Sequence, residues 1–146
     1  MDEKLHEAMY NFQYLELMLR EAIRTFETLI EFKMKGILHY PVDESAIDNL
    51  ALGQLADRYA KYTGNSKFRT DVKKVITARN RLAHRLFLSV ETYNDPLSEG
   101  IGKKVEEALA DSNKAASLAD DVFELMQHYY FDPITHDWHL PWQGRI

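Results

Sequence analysis

From Leu5 to about Phe32, apolar side chains recur at steps of three and four residues (Leu5, Met9, Phe12, Leu15, Leu19, Ile23, Phe26, Ile30). This spacing aligns side chains along one face of an α-helix. A run of this length predicts a long first helix whose stripe must be buried by other elements. A second apolar set (Tyr10, Tyr14, Leu17, Met18, Ala22, Leu29) widens the stripe beyond what one neighbour covers. The helix is therefore expected to pack on two sides, and one of those sides can be another subunit.

The rest of the chain punctuates itself. Gly36 and Pro41 in "KGILHYPVD" stop the first helix and turn the chain. A second helix is expected through "LALGQLADRYAKYT", capped by Asn49 or a nearby residue and ended by Gly64 and Asn65. Nothing from Ser66 to Phe87 breaks a third, and "SVETYNDPLSEG" reads as a loop. A fourth helix starts between Pro96 and Gly102 and runs to about Tyr129, with Ile101, Val105, Leu109, Ala116, Leu118, Val122, Phe123 and Met126 as its apolar positions. The closing "FDPITHDWHLPWQGRI" reads as an irregular arm lying on the helices. With no repeats, low-complexity runs or clean period-two alternation, the expected fold is all-α: an antiparallel bundle of about four main helices in a single domain of residues 1–146.

That length suffices to bury a core unaided. The chain has no cysteine, which removes disulfides and thiolate metal sites and makes a reducing compartment the simpler expectation. The acidic opening "MDEKLHEAMYNF" lacks the features of a signal peptide, and no apolar stretch is long enough to span a bilayer, so a cytoplasmic location without a membrane partner is expected. The net charge of −5 argues at first against nucleic acid, but the charge is unevenly spread. Residues 67–90 carry seven basic side chains (Lys67, Arg69, Lys73, Lys74, Arg79, Arg81, Arg85) against one acid, Asp71, a local balance of +6. The segments on either side are acidic.

Within this basic island lies "RNRLAH", residues 79–84. At about 100° per residue, Val72, Val75, Ala83 and Leu86 fall within about 40° of Arg79, so the arginine belongs to the apolar stripe. A guanidinium there needs a carboxylate, carbonyls, an anion or a water-filled crevice. The structural alternative pairs it with Glu16 or Glu21 of the first helix. Asn80 and His84 share a neighbouring strip with Lys73 and Thr77, into which a long arginine side chain can reach. Lys74, Arg81 and Arg85 form a separate, solvent-facing strip. Guanidinium, amide and imidazole together can bind an anion and move a proton. On RNA the 2′-hydroxyl supplies the nucleophile, so cleavage requires deprotonation, charge stabilisation at phosphorus and protonation of the leaving 5′-oxygen, without metal. One histidine cannot easily do both proton transfers, whereas a two-fold dimer supplies two.

The Arg-x4-His spacing with Asn after Arg, together with the order of helices, resembles the HEPN superfamily of small helical proteins. The resemblance covers most of the chain as architecture. It implies a usually dimeric bundle in which many members are metal-independent endoribonucleases of toxin–antitoxin, abortive-infection or other defence systems. It further implies catalytic roles for Arg79 and His84, with Asn80 positioning them or the phosphate. RNA, a second copy and an antitoxin or regulatory protein are the partners it suggests; Arg69, Lys73, Arg81 and Arg85 are the candidates for RNA contact, and no cofactor or metal is expected. In the subgroup silenced by a nucleotidyltransferase partner a tyrosine follows the histidine by two residues; here that position is Leu86, so that regulation is not carried over.

Two other readings stay open: a non-catalytic dimeric module that binds a nucleotide or protein partner through Arg79, and a helical scaffold with no site. His136 and His139 with Asp132 and Asp137 are a weak candidate for a divalent metal, since fixed sites need three or four ligands. Trp138 and Trp142 are better read as anchors of the arm. The acids of the last helix (Glu106, Glu107, Asp120, Asp121, Glu124) make a solvated face. No phosphate-binding glycine loop, nucleophilic serine or paired-carboxylate signature is present.

Overall fold

The computed structural model describes residues 2–91 and 99–141, with side chains for 3–84 and 106–141. Among these residues the chain forms α1 (Asp2–Met34), α2 (Glu44–Asp48), α3 (Leu52–Thr63), α4 (Ser66–Glu91), α5 (Glu99–Met126), β1 (Tyr130–Asp132) and β2 (Asp137–His139). The all-α class holds, and no helix described is long and apolar enough to cross a membrane. Helix α4 continues through Ser89, Val90 and Glu91, part of the expected loop, while α5 starts at Glu99, inside the expected range of 96–102, and ends at Met126, short of the expected Tyr129. The part of the expected loop at 92–98 lies outside the described residues.

Contacts along α1 show the helix directions. Lys4 meets Glu106, Asn11 meets Ser112 and Phe26 meets Tyr129, an almost constant offset that makes α5 parallel to α1. Helix α3 is also parallel to α1, with Arg20 reaching Leu50 and Phe26 reaching Tyr59. Antiparallel packing comes through α4, where Tyr59 meets Phe68 and Asp57 meets Arg69.

The α1–α5 seam is built from small side chains. Ala108, Ser112, Ala115 and Ala119 line the buried face of α5 opposite Ala8, Asn11, Leu15, Ala22 and other α1 residues. Large-residue periodicity picks out Leu118 and Val122, which are buried, but not these small residues, and Phe123, expected to be core, is exposed. Buried Asn11 donates to Ser112 Oγ (3.2 Å) and Asn113 Oδ1 (3.4 Å), and Ser112 Oγ donates to the Leu109 carbonyl (2.7 Å), so the polar atoms at the seam are satisfied.

Residues 35–51 return along α1 and are held there by its arginines. Arg20 donates to the carbonyls of Ile47 (3.4 Å) and Leu50 (3.1 Å); Arg24 binds Glu44 (2.5 Å), Asp48 (2.7 Å) and Glu21. Asp43 Oδ1 caps α2 through the Ala46 amide, while Asn49 closes α2 instead of opening α3. This anchoring starts α3 halfway along α1, so twelve residues cover only the C-terminal half of the α1–α4 groove. Gly64, at φ 72°, ends α3 and donates to the Ala60 carbonyl (2.8 Å). A Cβ there meets nothing within 4 Å. Gly64→Ala is therefore expected to cost about 1 kcal/mol from backbone strain alone, measurable by urea denaturation.

The C-terminal arm is more regular than expected. It forms an antiparallel hairpin pairing Tyr130 with His139, Phe131 with Trp138 and Asp132 with Asp137. Strands of three residues are too short to show alternation in sequence. Lys33 at the end of α1 donates to Asp137 Oδ1 (2.7 Å), and that bond, followed by the Trp138 amide, holds the carboxyl below the usual carboxylate range. Because the folded value is the lower one, this contribution is present above the ordinary carboxylate value and is lost as pH falls through the depressed one. In Lys33→Met the Asp137 titration, followed by carboxyl NMR, is expected to move up towards about 3.9.

Candidate functional site

Helix α4 buries Phe68, Val72, Val75, Ala78 and Leu82. This stripe is centred roughly 50° from Arg79 on the helical wheel, so the arginine sits at its border, half-buried, and Ala83 on the far side of Arg79 is exposed. Beyond the start of α3, the groove between α1 and α4 is open as a crevice of about 290 Å³ lined by Met9, Phe12, Gln13, Glu16, Arg79, Leu82 and Ala83. Buried Phe12 and Leu82 help form its apolar lining.

The ion pair of Arg79 with Glu16 or Glu21, the structural alternative, is not made. Glu16 is bound by Arg20 at 2.9 Å and Glu21 by Arg24. Among the described residues Arg79 has no hydrogen bond or salt bridge, and the crevice meets its need for solvation. A guanidinium in this setting is available to an incoming anion, and the partly apolar walls strengthen that attraction relative to open water.

Asn80 and His84 are exposed on one strip of α4, with Lys73 and Thr77. Thr77 Oγ1 donates to the Lys73 carbonyl (3.1 Å), and neither Asn80 nor His84 has a partner among the described residues. Five positions on a helix place His84 about 140° from Arg79. Within one chain the amide and imidazole are thus together, while the guanidinium faces the crevice on another side. Arg69 is occupied, bridging to Asp57 of α3 at 2.6 Å. Lys73 and Arg81 are exposed; the side chains of Arg85 and Leu86 lie outside the described residues.

Three of the four candidate metal ligands have other contacts, and His136 is exposed. Asp132 Oδ1 accepts the Ile134 amide (2.9 Å), Asp137 binds Lys33, and the His139 ring stacks on Tyr130 at 4.7 Å. No group of three or more potential ligands converges among the described residues. On the α1 wall of the crevice, the sequence reading names Glu16 only as an ion-pair partner and Met9 only as an apolar stripe position, and misses Gln13, because the wall's role depends on where α3 begins.

The chain was compared with models of protein families, with curated proteins and with solved structures, and none matches.

Proposed function

We propose that the chain is a HEPN-like, metal-independent endoribonuclease that works as a dimer in the cytoplasm, with Arg79 stabilising the phosphoryl oxygens, His84 transferring protons and Asn80 orienting the phosphate. The observation that carries this reading is the half-buried guanidinium of Arg79, left without a protein partner in an open crevice while the nearest candidate acid is bound by Arg20. In the reaction, one imidazole removes the proton of a 2′-hydroxyl, whose oxygen attacks the adjacent phosphorus. The bond to the 5′-oxygen breaks as a second imidazolium protonates that oxygen, leaving a 2′,3′-cyclic phosphate. The second imidazole comes from the partner copy. Met9, Tyr10 and Leu17, exposed on α1 beside the crevice, supply an apolar surface for pairing.

RNA is the substrate of this proposal, and a toxin or defence role with an antitoxin or regulatory partner is its biological setting. The angular separation of Arg79 from His84 favours a second reading, a dimeric binding module that uses Arg79 as an anion anchor. Incubation of mixed cellular RNA with the protein in EDTA separates the two. New 2′,3′-cyclic phosphate ends are expected for the nuclease, with a dimer mass in solution. A folded dimer that retains RNA intact favours the module, and a monomer mass independent of concentration removes the composite site.

A further inference from the structure

At the opposite end of α1, about 30 Å from the Arg79 crevice by helix rise, the loop after α1 and the C-terminal hairpin line a larger open cleft of about 700 Å³. Its volume lies within the range of small-molecule sites, about 300–1,000 Å³. Four aromatic residues, Phe32, Tyr40, Phe131 and Trp138, line it. Their placement is fixed before any ligand arrives. Phe32 and Phe131 meet edge-to-face at 5.5 Å, Phe131 and Trp138 at 6.3 Å, the Tyr40 hydroxyl donates to Glu27 (2.7 Å), and the Lys33–Asp137 bridge holds the hairpin to α1.

Polar groups in the lining point to the ligand class. Lys35 and His39 are exposed and have no partner among the described residues. Glu31 uses Oε2 to accept the Val42 amide (3.0 Å), which leaves its other oxygen for a donor. Flat apolar walls, an uncommitted cation and one available acceptor match a planar base that carries amino or hydroxyl donors and an attached phosphate. An uncharged aliphatic ligand leaves Lys35 without a partner.

We propose that this cleft binds a nucleotide, the base stacking on Trp138 with the ring of Phe131 standing against its edge, and the phosphate held by Lys35 beside His39. The base can belong to a free nucleotide or to a single-stranded RNA, because the recognised chemistry is the same. The site is separate from the Arg79 crevice and stands or falls independently of the nuclease reading.

The test is a ¹H–¹⁵N NMR titration with AMP, adenosine, inorganic phosphate, N-acetyltryptophanamide and a short oligoadenylate, with the Trp138 indole resonance assigned from Trp138→Phe. AMP is expected to shift that resonance and the amides of residues 31–40 saturably. Lys35→Met, at an exposed position, should weaken AMP about tenfold and leave adenosine nearly unchanged, whereas Phe131→Leu should weaken both. Arg79→Met should leave the titration intact, which separates this site from the nuclease proposal. Oligoadenylate binding tighter than AMP identifies the strand as ligand; equal affinity identifies the free nucleotide. The proposal is overturned by the absence of saturation at about 10 mM AMP, an affinity weaker than about 3 kcal/mol. It is also overturned by Lys35-independent shifts that N-acetyltryptophanamide produces as strongly as AMP, which mark a peptide site instead.

Discussion

Arg79→Met is expected to reduce RNA cleavage by at least about 10²-fold while leaving the protein as stable as the parent to within about 1 kcal/mol. The first half follows from the role proposed for Arg79, stabilising charge on phosphorus. The second follows from the environment: the guanidinium is half-buried, has no protein partner among the described residues, and lies against Phe12 and Leu82, which methionine can also cover. An arginine held in a buried ion pair behaves oppositely, since its loss strands a carboxylate at a cost of about 3–5 kcal/mol. His84→Ala, at an exposed position, is expected to lose about 10²–10⁴-fold in rate with no change in stability. Cleavage in EDTA beside urea denaturation reads both quantities. A folded Arg79→Met that cleaves at the parental rate removes Arg79 from the chemistry.

Leu19→Ala should be the more damaging change to the fold. Leu19 is fully buried on the core face of α1, and truncation there costs about 2–5 kcal/mol in lost burial and cavity formation, or about 10 °C in Tm for a domain of this size. Two positions away Leu17 is 52% exposed. Leu17→Ala should leave monomer stability within about 0.5 kcal/mol, and where the exposed face of α1 pairs two copies it lowers the dimer fraction instead. Denaturation monitors the first effect and mass against concentration the second. Equal destabilisation by both changes contradicts the burial pattern of α1.

The sequence made α1 and α4 readable because large apolar residues mark one face of each at helical spacing. On α5 it showed Leu118 and Val122 but concealed Ala108, Ser112, Ala115 and Ala119, which carry little hydrophobic signal and are buried with them. Helix direction was also hidden, since periodicity is the same for parallel and antiparallel neighbours. At the candidate site, the basic strip and the exposure of Asn80 and His84 were legible. The fate of Glu16 was not: Arg20, one turn further along α1, claims it, and local spacing alone does not rank that partner above Arg79. The crevice itself was illegible because it is the space that a short α3 fails to fill. The hairpin pairs side chains through strands of three residues, below the length at which alternation is visible.

The parallel seating of α5 on α1 also governs when the molecule can exist at all. Contacts such as Asn11 with Ser112 and Phe26 with Tyr129 join residues about a hundred positions apart, and pairings at such separation close late. On the ribosome the part of α1 that meets α5 stays bare after α3 has been made, until residues 99–126 emerge. A shortened product lacking α5 leaves that face exposed and prone to aggregation. Emergence of α5 thereby becomes a checkpoint: the groove beside Arg79 has both its walls once α4 is made, but the face of α1 that meets Ser112 is covered only after residues 99–126 follow.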